Sequence, residues 1–216
     1  MASITAQSRD TRERLIEAAR ELMIEHGILE VSLSEITQRA GVNVALVSYH
    51  FGGREGLMLS IAEADAAFAM AELSRLRSSN LRPSEMIRAH VTGIINAFYR
   101  RPYLNRLLQK LLREGSPEAS RQVSEFFVKP VAEARKGILD EGIACGEFRP
   151  VDPRLIGYAL EGACSQIFTS AASRQSILGD GTLDRPLIER YAASTADLIV
   201  NGLLAQTANE TAKGKS

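Results

Sequence analysis

GVNVALVSYHF, residues 41 to 51, decides how this 216-residue chain is read. Val42, Val44, Ala45, Leu46 and Val47 make an apolar run. Ser48, Tyr49 and His50 interrupt it, and Phe51 and two glycines close it. Gly41 suits a tight turn, and Asn43 can cap a short helix over about Val44 to His50. Val47 and Phe51 lie four residues apart and share one helical face. A helix this short cannot also bury Val44, Ala45, Leu46, Ser48 and Tyr49. It therefore turns small apolar groups and two hydroxyls outward.

Reading outward from this stretch, nearly all of the chain has helical periodicity. Over Thr11 to His26, Leu15, Ala18, Ala19, Leu22 and Met23 recur on one face, and Gly27 is a plausible stop. Ser32, three residues before Glu35, has the capping-box spacing for a helix through Ala40. Together with the opening stretch these segments predict a helix-turn-helix unit. Its core comprises Leu15, Ala19, Met23, Ile36, Ala40, Val47 and Phe51. A longer helix starts at Arg54, with Leu57, Ile61, Ala64 and Phe68 on one face. Further helices are expected from Pro83 to Tyr99, over 103 to 114, and from Ser116-Pro117, the last kinked by Pro130. Two more start at Asp152-Pro153, running to Ala172, and at Asp184-Arg185-Pro186, running to about Ala205. No segment alternates like a strand. The expected fold is all-α with about nine helices: residues 1–52 as a helix-turn-helix domain, 53–206 as a larger helical bundle, and 207–216 as a disordered tail.

Composition narrows the class. Apolar residues at 45% and charged residues at 24% are ordinary for a globular chain that buries a core. The zero formal net charge does not itself announce a polyanionic partner. Cys145 and Cys164 have neither disulfide-framework nor metal-site spacing, and His26, His50 and His90 make no HxxxH pair. No phosphate loop or nucleophile elbow occurs, so neither an enzyme nor a cofactor is expected. The N-terminus lacks signal-peptide order, and no apolar run is long enough to span a bilayer, so a cytoplasmic protein without membrane attachment is expected.

An outward face of small side chains and hydroxyls suits a major groove, where methyl groups meet thymine methyls and hydroxyls meet phosphates or base edges. On spacing alone a helical hairpin packed on the rest of the protein fits equally well. The residues themselves carry more. Thr11, Ile16, Ala18, Ala19, Gly27, Ser32, Ile36, "AGV" at 40–42, "YHF" at 49–51 and "REGL" at 54–57 resemble the N-terminal domain of TetR-family transcriptional regulators. The match runs in register for about fifty residues; the remainder is similar only in helix number, length and order. The resemblance implies a homodimer, three helices for duplex DNA, and a helical C-terminal domain for a small effector, most members being repressors released by their ligand. It implies phosphate contacts from His50 and Arg54, an operator contact from Tyr49, and base reading by Val44, Ala45 and Leu46. Ser48 stands where a second tyrosine is frequent, Asn43 where serine or threonine is, and Ala45 where glycine is. Ser32, Ser34 and Arg39 complete the expected DNA-facing set. Residues 1 to 60 hold six arginines against eight acidic residues, a balance of −2. Phosphate binding then depends on Glu17, Glu21 and Glu25 pointing away from DNA, and modest non-specific affinity is expected.

The expected effector is apolar or aromatic. Its candidate residues are Phe68, His90, Ile94, Phe98, Leu107, Leu111, Phe126, Phe127, Arg135, Tyr158, Gln166 and Phe168, with His90, Arg135 and Gln166 supplying polarity; most also fit plain core. For the dimer, Gly157, Gly162 and Ala163 on one helix and Ile188, Tyr191, Leu198, Ile199 and Leu203 on the last predict a four-helix interface. A helical protein–protein adaptor that binds no DNA is the alternative.

Overall fold

The structure is a computed structural model that describes residues 2–27 and 29–205, with side chains from residue 9 onward. The expected tail at 207–216 lies outside the described residues. Eleven α-helices follow in order: α1 (Ala2–His26), α2 (Leu33–Ala40), α3 (Ala45–Phe51), α4 (Arg54–Arg77), α5 (Pro83–Arg100), α6 (Leu104–Arg113), α7 (Pro117–Val123), α8 (Lys129–Ala144), α9 (Pro153–Ser165), α10 (Ala171–Leu178) and α11 (Arg185–Leu203). A π turn, Ser124–Val128, joins α7 to α8, and a 3-10 turn, Gln166–Phe168, follows α9. Among the described residues there is no strand, only an isolated bridge between Phe148 and Leu204.

The chain divides into two compact units. The first comprises the residues up to Ala69 together with Arg101–Lys129; the second comprises Met70–Arg100 together with the residues from Pro130 on. In the first unit, α1 buries Leu15, Ile16, Ala18, Ala19, Leu22 and Met23, and α2 and α3 add Ile36, Ala40 and Val47. Leu57, Met58, Ile61 and Ala62 of α4 join the same core, as do Leu104, Leu107, Leu108 and Leu111 of α6 and Ala119 and Val123 of α7. In the second unit α11 packs along α5, and α9 touches both.

Local chemistry explains the element ends. The Ser32 hydroxyl accepts from the Glu35 amide at 3.1 Å while the Ser32 amide donates to the Glu35 carboxylate at 2.8 Å, so two free donors of α2 are satisfied. Gly41 has φ +64, the left-handed conformation that lets α2 stop and the chain turn. A Cβ on Gly56 would stand 1.8 Å from the Phe51 carbonyl oxygen, so the start of α4 can approach α3 only with glycine there. Ahead of Pro130, which lacks an amide hydrogen, the helix widens to a π turn in which the Lys129 amide reaches the Ser124 carbonyl.

Two sequence expectations fail. The helix from Pro153 does not reach Ala172. It ends at Ser165, because Ser170 caps a separate α10 with its hydroxyl on the Ser173 amide, and Arg174 holds the bend by donating to the Ile167 and Gly181 carbonyls. On α4 the buried face runs through Leu57, Ile61 and then Asp65, while Ala64 is exposed and Phe68 is 49% exposed. A charged residue takes the inward position because it is fully partnered there.

Candidate functional sites

The first candidate site is the outer surface of α3. Val47 is wholly buried and Phe51 partly so, which turns Val44, Ala45, Ser48 and Tyr49 outward. Tyr49 is 78% exposed, a large aromatic held at the surface. Its ring stands edge-on to His50 at 4.9 Å. Leu46 is half-buried against the core, so it sits at the margin of this face rather than on it. Asn43 accepts from the Ala45 amide at 2.8 Å and so holds the start of α3. On α2, Ser34 is exposed beside the capped Ser32.

Arg12, Arg14, Arg39 and Arg54 are engaged within this unit. Arg39 forks onto Glu25 at 2.8 and 2.9 Å and reaches Glu21 at 3.2 Å. Arg12 lies 5.3 Å over the Phe51 ring and donates to Ser60. Arg14 donates to the Ala40 carbonyl at the C-terminus of α2. Arg54 donates to the carbonyls of Val31 at 2.5 Å and Leu29 at 3.2 Å. Arg54, expected to meet phosphate, also staples the segment leading into α2, where carbonyls lie outside any helix ladder. Glu21 and Glu25, expected to point away from DNA, hold Arg39.

Sequence reading missed the polar centre of this unit. Asp65, 2% exposed, accepts from Arg20 at 2.7 Å and Tyr103 at 2.7 Å and pairs with Arg101 at 3.2 Å. These contacts tie α4 to α1 and to the segment entering α6. Burial pushes the Tyr103 phenol well above its usual range, so it stays a donor.

The predicted effector residues fall into two groups. Leu107 and Leu111 are core residues of the first unit, Phe126 and Phe127 pack on that core, and Phe68 lies under Arg101, whose guanidinium stands 5.4 Å from its ring. A hollow of about 300 Å³ in this unit has Leu29, Met58, Leu107 and Leu111 as its floor, and Arg54, Glu55 and Lys110 among its rim.

The second group gathers where α5, α8 and α9 meet. His90, Ile94 and Phe98 follow one another along α5, and the Phe98 ring meets Phe168 edge-on at 5.8 Å. Arg135 on α8 is 6% exposed, donates to the Gly157 carbonyl at 2.6 Å and lies 3.9 Å from Glu161. Its Nε and the Nε2 of His90 are buried without a hydrogen-bond partner. Each such atom costs on the order of 1–3 kcal/mol if it stays unmatched. Burial first, and the Arg135 charge second, push the His90 imidazole down to about 4, so it is neutral near pH 7. Burial holds the Glu161 carboxyl above its usual range and pushes the Cys164 thiol up to about 12. Cys164 is thus a buried, unreactive thiol. Gln166 is exposed, and Tyr158, 83% exposed, stands outside this group.

Tyr158 belongs instead to an exposed face of α9 and α11 with Leu155, 67% exposed, Gly162 and Leu198, 74% exposed. Tyr191 donates its hydroxyl to the Ala163 carbonyl and so joins the two helices. Gly157 and Ile199 are half-buried. Ile188 and Leu203 do not reach the surface: each is 1% exposed, consumed by the packing inside the chain.

Comparison with known proteins agrees with this geometry. The family model for bacterial regulatory proteins of the tetR family matches residues 15–61, and that for the tetracyclin repressor-like C-terminal domain matches residues 80–209. The transcriptional repressor NicS of Pseudomonas putida is 25% identical over 206 residues, 93% of this chain and 96% of its own length. The regulator BetI 1 of Chromohalobacter salexigens is 28% identical over 99 residues, which is 46% of this chain and 48% of that protein. Other regulators share shorter segments, such as 37% of the length of TtgW from Pseudomonas putida. Among solved structures, Bacillus subtilis FadR in complex with stearoyl-CoA superposes with a TM-score of 0.70 at 21% identity, over 88% of this chain and 98% of that one. The α3 surface, the helical order around it and the two matched models lead to one conclusion: the chain belongs to the TetR family of bacterial transcriptional regulators.

Proposed function

We propose that the protein is a ligand-responsive repressor that works in the cytoplasm as a homodimer on a pseudo-palindromic operator. The observation that carries this reading is the outward face of α3, with Tyr49, Val44, Ala45 and Ser48 unclaimed by their own subunit's core. It offers methyl groups and hydroxyls at the scale of a major groove. Ser34 on α2 and His50 on α3 are positioned for phosphate. The exposed apolar face of α9 and α11 supports a two-fold dimer, and a two-fold axis sets the reading heads about one DNA turn, roughly 34 Å, apart.

The apolar side chains of the second unit support an apolar effector. Its effect on DNA depends on binding one arrangement of the dimer better than the other. α4, which contributes residues to both units, is the natural element to report it.

The test is selection of binding sites from random duplexes by the purified protein, followed by measurement with Tyr49→Ala. A two-fold symmetric motif is expected. Tyr49→Ala should bind that motif at least about tenfold more weakly while remaining dimeric, in line with the loss of a base-edge contact of 1–3 kcal/mol. Unchanged affinity would remove α3 from its assigned role. The internally engaged arginines favour one rival, an adaptor that binds protein through α3. Salt-independent or absent binding to duplex DNA would select it.

A further inference from the structure

We infer that the junction of α5, α8 and α9 receives the carboxylate of an otherwise apolar acid, with Arg135 and His90 as its donors. This rests on the reading above that the second unit holds an effector. Arg135 is a buried cation that is only weakly compensated: among the described residues its hydrogen bond goes to a neutral carbonyl, and its ion pair with Glu161 is long, at 3.9 Å, beyond hydrogen-bond reach. A buried guanidinium in this condition is strongly disfavoured unless an anion completes it. His90, from a different helix, brings a second buried nitrogen without a partner to the same junction. Bound water would satisfy hydrogen bonds but leave the charge uncompensated. A carboxylate does both, because its two oxygens match the guanidinium fork.

The same arrangement sets the rest of the molecule. Glu161, half-buried, pairs with Arg135 only at 3.9 Å, and the Arg135 Nε stays unmatched. The groups named bring at most one positive charge, since His90 is neutral near pH 7 and Glu161 pairs with Arg135 at 3.9 Å. A monoanion therefore fits, and a dianionic phosphate would carry surplus charge into a buried place. From His90 the face of α5 continues through Ile94 to Phe98 and its partner Phe168. Eight residues of helix span roughly 12 Å, so an apolar body of that order extends away from the head group along non-polar side chains.

The experiment uses the full chain and titrates decanoic acid, methyl decanoate and decan-1-ol by calorimetry at pH 7, each below its aggregation limit. The acid should bind, with the ester and the alcohol at least about tenfold weaker. Arg135→Gln should bring the acid down to the level of the ester and leave the ester unchanged. Arg135→Lys, which keeps the charge, should retain a reduced preference for the acid, and it decides the matter if Arg135→Gln fails to fold. Equal affinity for acid and ester, no binding of the acid, or an acid preference that survives in folded Arg135→Gln would overturn the proposal. Operator binding measured on the same samples separates the two readings. A chain that binds operator but not acid refutes only the carboxylate site, and one that binds acid but no duplex DNA refutes only the regulator.

Discussion

Asp65 and His90 show two ways in which a polar side chain survives burial. Asp65 stays buried because Arg20 of α1 and Arg101 and Tyr103 of the segment entering α6 converge on it; losing one partner of such a cluster typically costs about 3–5 kcal/mol. Its position was not legible in the sequence. Arg20 stands 45 residues away and Tyr103 38, so no local pattern announces them, and a helical wheel that scores only apolar residues places Ala64 inward instead. His90 stays buried by remaining neutral. In the unfolded chain it titrates near 6.5, and in the folded protein at about 4, so between those values the unfolded state takes up the proton that the folded state refuses. Stability is therefore complete above pH 6.5 and falls as the pH drops toward 4. Denaturant titrations of the wild type and His90→Gln at pH 7 and pH 4.5 should show the loss on acidification smaller by roughly 2 kcal/mol in the variant. An equal loss in both would mean that His90 is hydrated or protonated in the folded state.

At the level of helices, the starts and stops were the legible part. The Ser32 box, the Gly41 stop, the Pro117, Pro153 and Pro186 starts and the Pro130 distortion all rest on one or two residues acting on their own backbone, and each is present. The outward turn of Val44, Ser48 and Tyr49 was legible for the same reason, because the length of α3 decides it. Ionic pairings between helices were not: Arg39 finds Glu21 and Glu25 only once α2 packs across α1. That pairing yields a prediction. Replacing both acids, Glu21→Gln with Glu25→Gln, frees a guanidinium at the end of α2 and removes two negative charges. Operator affinity should rise about tenfold, with the salt dependence steeper by about one ion. Stability should be nearly unchanged, since these groups are solvent-exposed. A salt slope identical to that of the wild type would show that Arg39 does not reach phosphate.

For the whole molecule, the proposed partner surface rests on what the chain leaves uncovered. Leu155 and Tyr158 on α9 and Leu198 on α11 expose apolar area that a monomer rarely carries on neighbouring helices. Leu198→Asp should shift the protein to monomer in sedimentation experiments and lower operator affinity in step, whereas a product that stays dimeric would place the interface elsewhere. Ile188 and Leu203 lie on the same helix as Leu198 but are spent inside the chain, which shows that apolar character alone cannot divide a helix between its own core and a partner.

The core around α1 to α3 also holds Leu104, Leu107 and Leu111, and the backbone passes from one compact unit to the other near residues 69, 100 and 129. A reading head is therefore not a cassette. A chimera made by a single cut beyond α3 would carry away the helix-turn-helix while leaving α4, α6 and α7, which share its core, behind. Exchanging operator specificity between relatives of this chain requires transplanting the discontinuous segments together or recolouring only the outer face of α3.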